Sequence, residues 1–151
     1  MKKLIGFLFL VIIINSAFLV DIKESDVPEA VKQSFKKLYP NSYVYEWEFK
    51  KKTNIYEAEF YLKGEKYKSY FDAQGEWQKT EIKVKNKALP EAISKQLAQT
   101  KYANWKIDDV KRQLSPKTKN AIYIVEVEQG RLETLLSFSL DGKLLSEHQK
   151  K

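Results

Sequence analysis

The feature that most constrains this chain is an internal duplication. Val27-Pro28-Glu29-Ala30-Val31 returns as Leu89-Pro90-Glu91-Ala92-Ile93, and Tyr56-Glu57-Ala58-Glu59-Phe60 returns as Tyr123-Ile124-Val125-Glu126-Val127. A third match sets Phe71-Asp72-Ala73-Gln74-Gly75-Glu76-Trp77 against Leu140-Asp141-Gly142-Lys143-Leu144, two residues shorter in the turn. Three matches in the same order, spaced by about 62 to 69 residues, mark a tandem repeat, so whatever one unit folds into should occur twice.

Hydrophobic periodicity gives the unit. Asp26 with Glu29 three residues later reads as a capping box, and Pro28 is tolerated in a first helical turn. Val27, Val31, Phe35 and Leu38 then form one apolar stripe, with Lys32, Lys36 and Lys37 toward water, until Pro40 ends the helix. Beyond Pro40 the pattern changes to period two. Tyr43, Tyr45, Trp47 and Phe49 alternate with Val44, Glu46, Glu48 and Lys50; Tyr56, Ala58, Phe60 and Leu62 alternate with Glu57, Glu59 and Tyr61. After the turn at Lys63-Gly64-Glu65, Tyr67, Ser69 and Phe71 oppose Lys66, Lys68 and Tyr70, and a fourth strand runs from about Trp77 to Val84. The second unit repeats this, with Ala88 in place of the capping Asp, a helix over Pro90 to Tyr102, and strands near Trp105 to Leu114, Ala121 to Gln129, Leu132 to Leu140 and Lys143 to Glu147.

The predicted fold is therefore α+β: two tandem repeats, residues 21–85 and 86–151, each a helix on the aromatic face of a four-stranded antiparallel meander. A unit of this size buries too little surface to stand comfortably alone, so the two should pack as one body, with Lys85-Asn86-Lys87 as the joint.

Residues 1–20 read as an export segment. Lys2 and Lys3 precede the apolar run Leu4 to Ile14, and polar residues enter at Asn15 and Ser16. A signal cleaved near Ala17 and an uncleaved anchor over Leu4 to Val20 both fit; either puts the remainder in the periplasm or on the cell surface, with membrane contact only through this segment if it stays attached.

Composition excludes several chemistries. The chain has no cysteine, which removes disulfides, thiol catalysis and thiolate metal sites. Its net charge of +7 comes from 27 basic and 20 acidic residues mixed along the chain, with arginine only at Arg112 and Arg131 and no nucleic-acid motif, so nucleic acid is not an expected partner. The Lys50-Lys51-Lys52 cluster ahead of Thr53-Asn54 reads as a hairpin loop. His148, three residues from the C-terminus, is expected in a frayed tail, leaving no nucleophile with a base.

Carboxylate pairs remain: Glu57 with Glu59 and Glu126 with Glu128 share strand faces, while Asp108 and Asp109 should point apart. Interleaved with Lys66, Lys68 and Arg131, the pairs read as a charged, solvated sheet face, and Asp72 to Glu76 as a type I turn lacking the alternating oxygens of a calcium loop. No catalytic residue, metal ligand or cofactor is assigned. The candidate site is instead a partner-binding surface: Tyr61 and Tyr70, expected to be exposed opposite the core, flanked by Lys66, Lys68, Glu57 and Glu59.

The duplicated Val-Pro-Glu-Ala-Val and Leu-Pro-Glu-Ala-Ile helix starts, the alternating aromatic strands and the Phe-Asp-x-x-Gly-x-Trp hairpin behind an export segment resemble the PepSY-like family of exported bacterial proteins over about residues 26 to 147. The resemblance implies a fold similar to beta-lactamase inhibitor protein and a non-catalytic module that binds another envelope protein. It also implies an alternative, inhibition of an envelope protease or other hydrolase through the exposed sheet face or a loop, either Lys50 to Asn54 or Ser115 to Asn120.

Overall fold

The computed structural model describes residues 19–118 and 120–150. The export segment expected over residues 1–20 lies outside them except for Leu19 and Val20, which open a strand, β1 (Leu19–Ile22), that periodicity does not predict. Then come α1 (Glu29–Leu38), β2 (Val44–Lys50), β3 (Ile55–Leu62), β4 (Glu65–Asp72), β5 (Trp77–Val84), α2 (Glu91–Leu97), β6 (Lys106–Leu114), β7 (Ile122–Gln129), β8 (Leu132–Ser139) and β9 (Leu144–Gln149). All nine strands form one antiparallel sheet in sequence order, β5 pairing with β6 across the expected joint. No helix among the described residues is long and apolar enough to cross a membrane.

Both helices lie on one face of this sheet. Val27, Val31 and Phe35 pack on Trp47, Ala58, Phe60 and Phe71, with Phe35 edge-on to Phe60 at 5.0 Å between ring centroids. Ile93, Leu97 and Tyr102 pack on Val110, Tyr123, Val125, Val127, Leu136 and Phe138. The cross-strand row Phe60, Tyr67, Ile82, Arg112, Tyr123, Phe138 runs along the same face from one cluster to the other.

Local structure departs from expectation in three places. Asp26 belongs to a 3-10 turn over Glu24–Asp26, and α1 starts with Pro28 as its N-cap and no side-chain cap, so there is no capping box; the fixed φ of proline sets the start instead. The second helix is shorter than predicted, ending at Leu97 before turns that carry Tyr102 and Trp105 into the core. The β4–β5 and β8–β9 turns have equal length: Phe71 pairs with Trp77 and Phe138 with Leu144. Ser139, not Asp141, takes the place of Asp72, its Oγ accepting the Lys143 N–H at 3.1 Å as the Asp72 carboxylate accepts that of Glu76 at 2.9 Å. The glycine in each turn has positive φ, +82° at Gly75 and +89° at Gly142.

Register shifts also recur in position. One lies between Val44 and Glu46 and another between Ile107 and Asp109; a further pair lies between Tyr70 and Phe71 and between Ser137 and Phe138.

Candidate functional site

Strand alternation and the register place Glu57 opposite Tyr70, Glu59 opposite Lys68 and Tyr61 opposite Lys66, all on the face that carries no helix. The six residues predicted as a partner-binding surface are thus brought together, but three of them are not exposed. Tyr70 is 3% exposed, Glu57 1% and Glu59 3%. With no helix above them, they are covered by neighbouring side chains: Lys50 and Lys79 each set their ammonium 4.6 Å from the centre of the Tyr70 ring. Tyr61 is the open member of the set, at 60% exposed, with Lys66 and Lys68 partly exposed beside it.

Burying carboxylates requires partners. Glu57 pairs with Lys50 and with Lys68, each at 2.7 Å; Glu59 pairs with Lys66 at 2.5 Å and with Lys68. Lys68 therefore bridges both acids. The Tyr45 hydroxyl donates to Glu59 at 2.5 Å. Burial pushes the Glu59 carboxyl up, but hydrogen bonds from Lys66, Lys68 and Tyr45 outweigh it and hold the group down at about 2. Glu59 raises Lys66 in turn, and Lys68 is raised by Glu57 and Glu59 against its own burial. Next along the face, Tyr70 donates to Glu81 at 3.1 Å and Lys79 reaches Glu81 at 2.5 Å; burial pushes the Tyr70 phenol well up. The lowered Glu59 carboxyl stays ionised, so it serves as an acceptor for Lys66, Lys68 and Tyr45 and holds those side chains in place.

Strict alternation puts Tyr45 on the aromatic core face. The bulge between Val44 and Glu46 moves it to the other side: Val44 packs against the α1 cluster, while Tyr45 stacks on Tyr61 with centroids 5.4 Å apart and rings 25° from parallel. The Lys66 ammonium lies 5.5 Å from the centre of the Tyr45 ring. One signal for this exists in the sequence, the aromatic run from Tyr43 to Phe49, but an extra residue in a ladder leaves no mark on composition.

Beside the stacked tyrosines, β1 adds a third acid row. Asp21 faces Glu48, Glu48 faces Glu57, and Glu46 faces Glu59. Carboxylate oxygens of Asp21, Glu46 and Glu48 lie within 4.8 Å of one another, and so do those of Glu48, Glu57 and Glu59. Burial and the neighbouring Glu57 raise the Glu48 carboxyl, one of whose oxygens is buried with no hydrogen-bond partner. Sequence reasoning misses Asp21, Glu46 and Glu48 as a group because their meeting depends on β1.

The other predicted features fall elsewhere. Glu126 pairs with Lys150 and Glu128 with Lys106 at 2.5 Å, and Asp109 meets Lys83 and Lys111, each at 3.3 Å. His148 is exposed in β9, opposite Leu135, and is part of the sheet instead of a frayed tail. Asp72 accepts the N–H groups of Gln74 and Glu76, as a turn requires.

The family described as "Putative beta-lactamase-inhibitor-like, PepSY-like" matches residues 17–65 and 54–146. Among solved structures, a BLIP-like protein from Bacteroides fragilis is 34% identical, with 81% of this chain and 86% of that chain covered and a TM-score of 0.71. A DUF2874 family protein from Bacteroides ovatus is 27% identical over 81% of this chain and 86% of its own, also with a TM-score of 0.71. A Bacteroides eggerthii protein described as a "putative periplasmic" one shares the fold, with a TM-score of 0.70, 20% identity, and 82% of this chain and 88% of its own covered. No curated protein matches the chain.

Proposed function

The chain belongs to the PepSY-like family, and from that membership and the geometry of the helix-free face we propose that it is an exported, non-catalytic module that holds another envelope protein. The observation that carries this reading is the exposed Tyr45–Tyr61 stack, held by the Tyr45 hydrogen bond to Glu59 and by the Lys66 ammonium over the Tyr45 ring. Pre-organised aromatic rings lose little conformational freedom on binding, which is why tyrosines anchor interfaces. Of the six residues that the sequence points to, Tyr61, Lys66 and Lys68 are the contact groups; Glu57 and Glu59 fix the two lysines in position, and Tyr70 is buried beneath Lys50 and Lys79.

In this reading residues 21–85 and 86–151 are two copies of one helix-plus-meander unit. The recurring register shifts and turn glycines support it. The ion networks of the two halves differ: Ile124 and Leu135 stand where Glu57 and Lys68 stand in the first half, and Lys150 instead pairs with Glu126 and Glu133. Export rests on the basic and apolar N-terminus, with the periplasm or cell surface as destination.

Capture from the native envelope by the immobilised chain tests the proposal. The Tyr45→Ala/Tyr61→Ala double variant should lose its partner while staying folded, its stability falling only by the lost Tyr45–Glu59 hydrogen bond, about 1.5–3 kcal/mol. Undiminished capture would reject this face.

A second reading, inhibition of an envelope protease or other hydrolase, draws on the BLIP-like relative at 34% identity. The β2–β3 loop favours it structurally, because Thr53 N–H donates to the Lys50 carbonyl at 3.2 Å and Asn54 sits at φ 55°, a conformation set before any partner arrives. Loss of β-lactamase or protease activity at micromolar inhibitor would favour this reading, and full retention would remove it.

A further inference from the structure

The corner of the helix-free face formed by β1, β2 and β3 has an uneven supply of charge. The lysines within reach, Lys50, Lys66 and Lys68, are committed to Glu57 and Glu59. Asp21, Glu46 and Glu48 make no ion pair with any described residue, although their oxygens gather within 4.8 Å. The register makes this worse, setting Asp21 against Glu48, Glu48 against Glu57 and Glu46 against Glu59, and like charges directly opposite in a sheet repel. The stacked rings of Tyr45 and Tyr61, 50% and 60% exposed, stand beside these acids. Their faces attract cations, as Lys66 over Tyr45 illustrates within the chain itself.

We propose that this corner receives a basic segment of the partner polypeptide, a lysine or arginine side chain lying against the Tyr45–Tyr61 rings with its charge on Glu46, Glu48 and Asp21. The inference rests on the binding reading above and specifies the partner's chemistry. Charge complementarity selects a cation over an anion. The rest of a chain carrying +7 repels a basic segment, so attraction is confined to the acidic corner. A bound cation relieves the opposed carboxylates, and the aromatic rings supply the contact that distinguishes a side chain from a free ion.

The test is fluorescence anisotropy of the full chain with labelled deca-arginine, deca-lysine and deca-glutamate, at low and at physiological salt. The basic peptides should bind, more weakly as salt rises, and deca-glutamate should not. Tyr61→Ala should weaken deca-arginine binding about threefold, and Glu46→Gln with Glu48→Gln about fivefold. Equal binding of all three peptides, no effect of either variant, or binding of calcium without binding of the basic peptides would overturn the inference. If the tyrosine double variant loses envelope capture while deca-arginine fails to bind, the partner's chemistry is wrong and the binding face stands; if capture survives the double variant, the face itself is wrong.

Discussion

Gly75, in the β4–β5 turn, lies so close to the first turn of α1 that a methyl group on its Cα would stand 2.5 Å from the carbonyl oxygen of Ala30. Gly142 has the same relation to Ala92, at 2.6 Å. In each half of the sheet the hairpin turn and the helix start are in backbone contact, and the glycine that permits it also supplies the positive φ the turn requires. Gly64 has a similar φ, +81°, with nothing within 4 Å of the added carbon, and so serves as a control. Gly64→Ala should cost about 1 kcal/mol from backbone strain alone, whereas Gly75→Ala and Gly142→Ala should each cost about 3 kcal/mol or more, because the opposing atoms are backbone and cannot turn away. Denaturant unfolding of the three variants measures the difference.

Lys68 bridges two nearly inaccessible acids, so removing its charge should be felt strongly. Lys68→Met should destabilise the fold by about 3 kcal/mol, as loss of one member of a buried ion network does. Adding Glu59→Gln should recover part of that loss, since the second change removes a charge the first left short of a partner. Additive losses in the double-mutant cycle would show that the two groups act independently.

Acid sensitivity arises from Glu59. Its ordinary value is 4.5 and its folded value about 2, so the stability it contributes is fully present above pH about 4.5 and is lost as pH falls toward 2. The gap corresponds to about 3 kcal/mol. Unfolding free energy measured across this range should fall in the native chain and fall less in Glu59→Gln. Glu48 has the opposite sign: its carboxyl is raised, so the folded state takes up its proton more readily than the unfolded chain does. Glu48→Gln should therefore stabilise the protein at neutral pH and lose that advantage as the medium is acidified.

Tyr61 and Tyr70 are alike in the sequence and should behave differently. Tyr70→Ala should lose about 3–5 kcal/mol, as truncation of a buried aromatic does. Tyr61→Ala should change stability by about 0.5 kcal/mol or less. Thermal melts of the two single variants give the comparison.

Strands and helices were legible because burial on one face writes period two or 3.6 into the residues. Trp47, Ala58, Phe60 and Phe71 were all recognisable as core in this way. The candidate site was legible as a face but not as a surface. Alternation puts Glu57, Glu59 and Tyr70 opposite the helix, and period alone cannot tell that long lysine side chains fold over them. Tyr45 escaped because a bulge reverses the phase of alternation at the start of β2. The Asp21–Glu46–Glu48 group escaped for a topological reason: β1 begins at Leu19, within the stretch assigned to the export segment, so nothing local distinguished a strand from the tail of that segment.

The helix-free face is the place where a partner sits in the proposed function. A photo-crosslinking residue at position 61 and, separately, at Lys36 on the exposed side of α1 tests this in the living envelope. Crosslinks to a discrete partner from position 61 and none from position 36 are predicted; a partner trapped from position 36 alone would place the contact on the helical side and contradict the proposal.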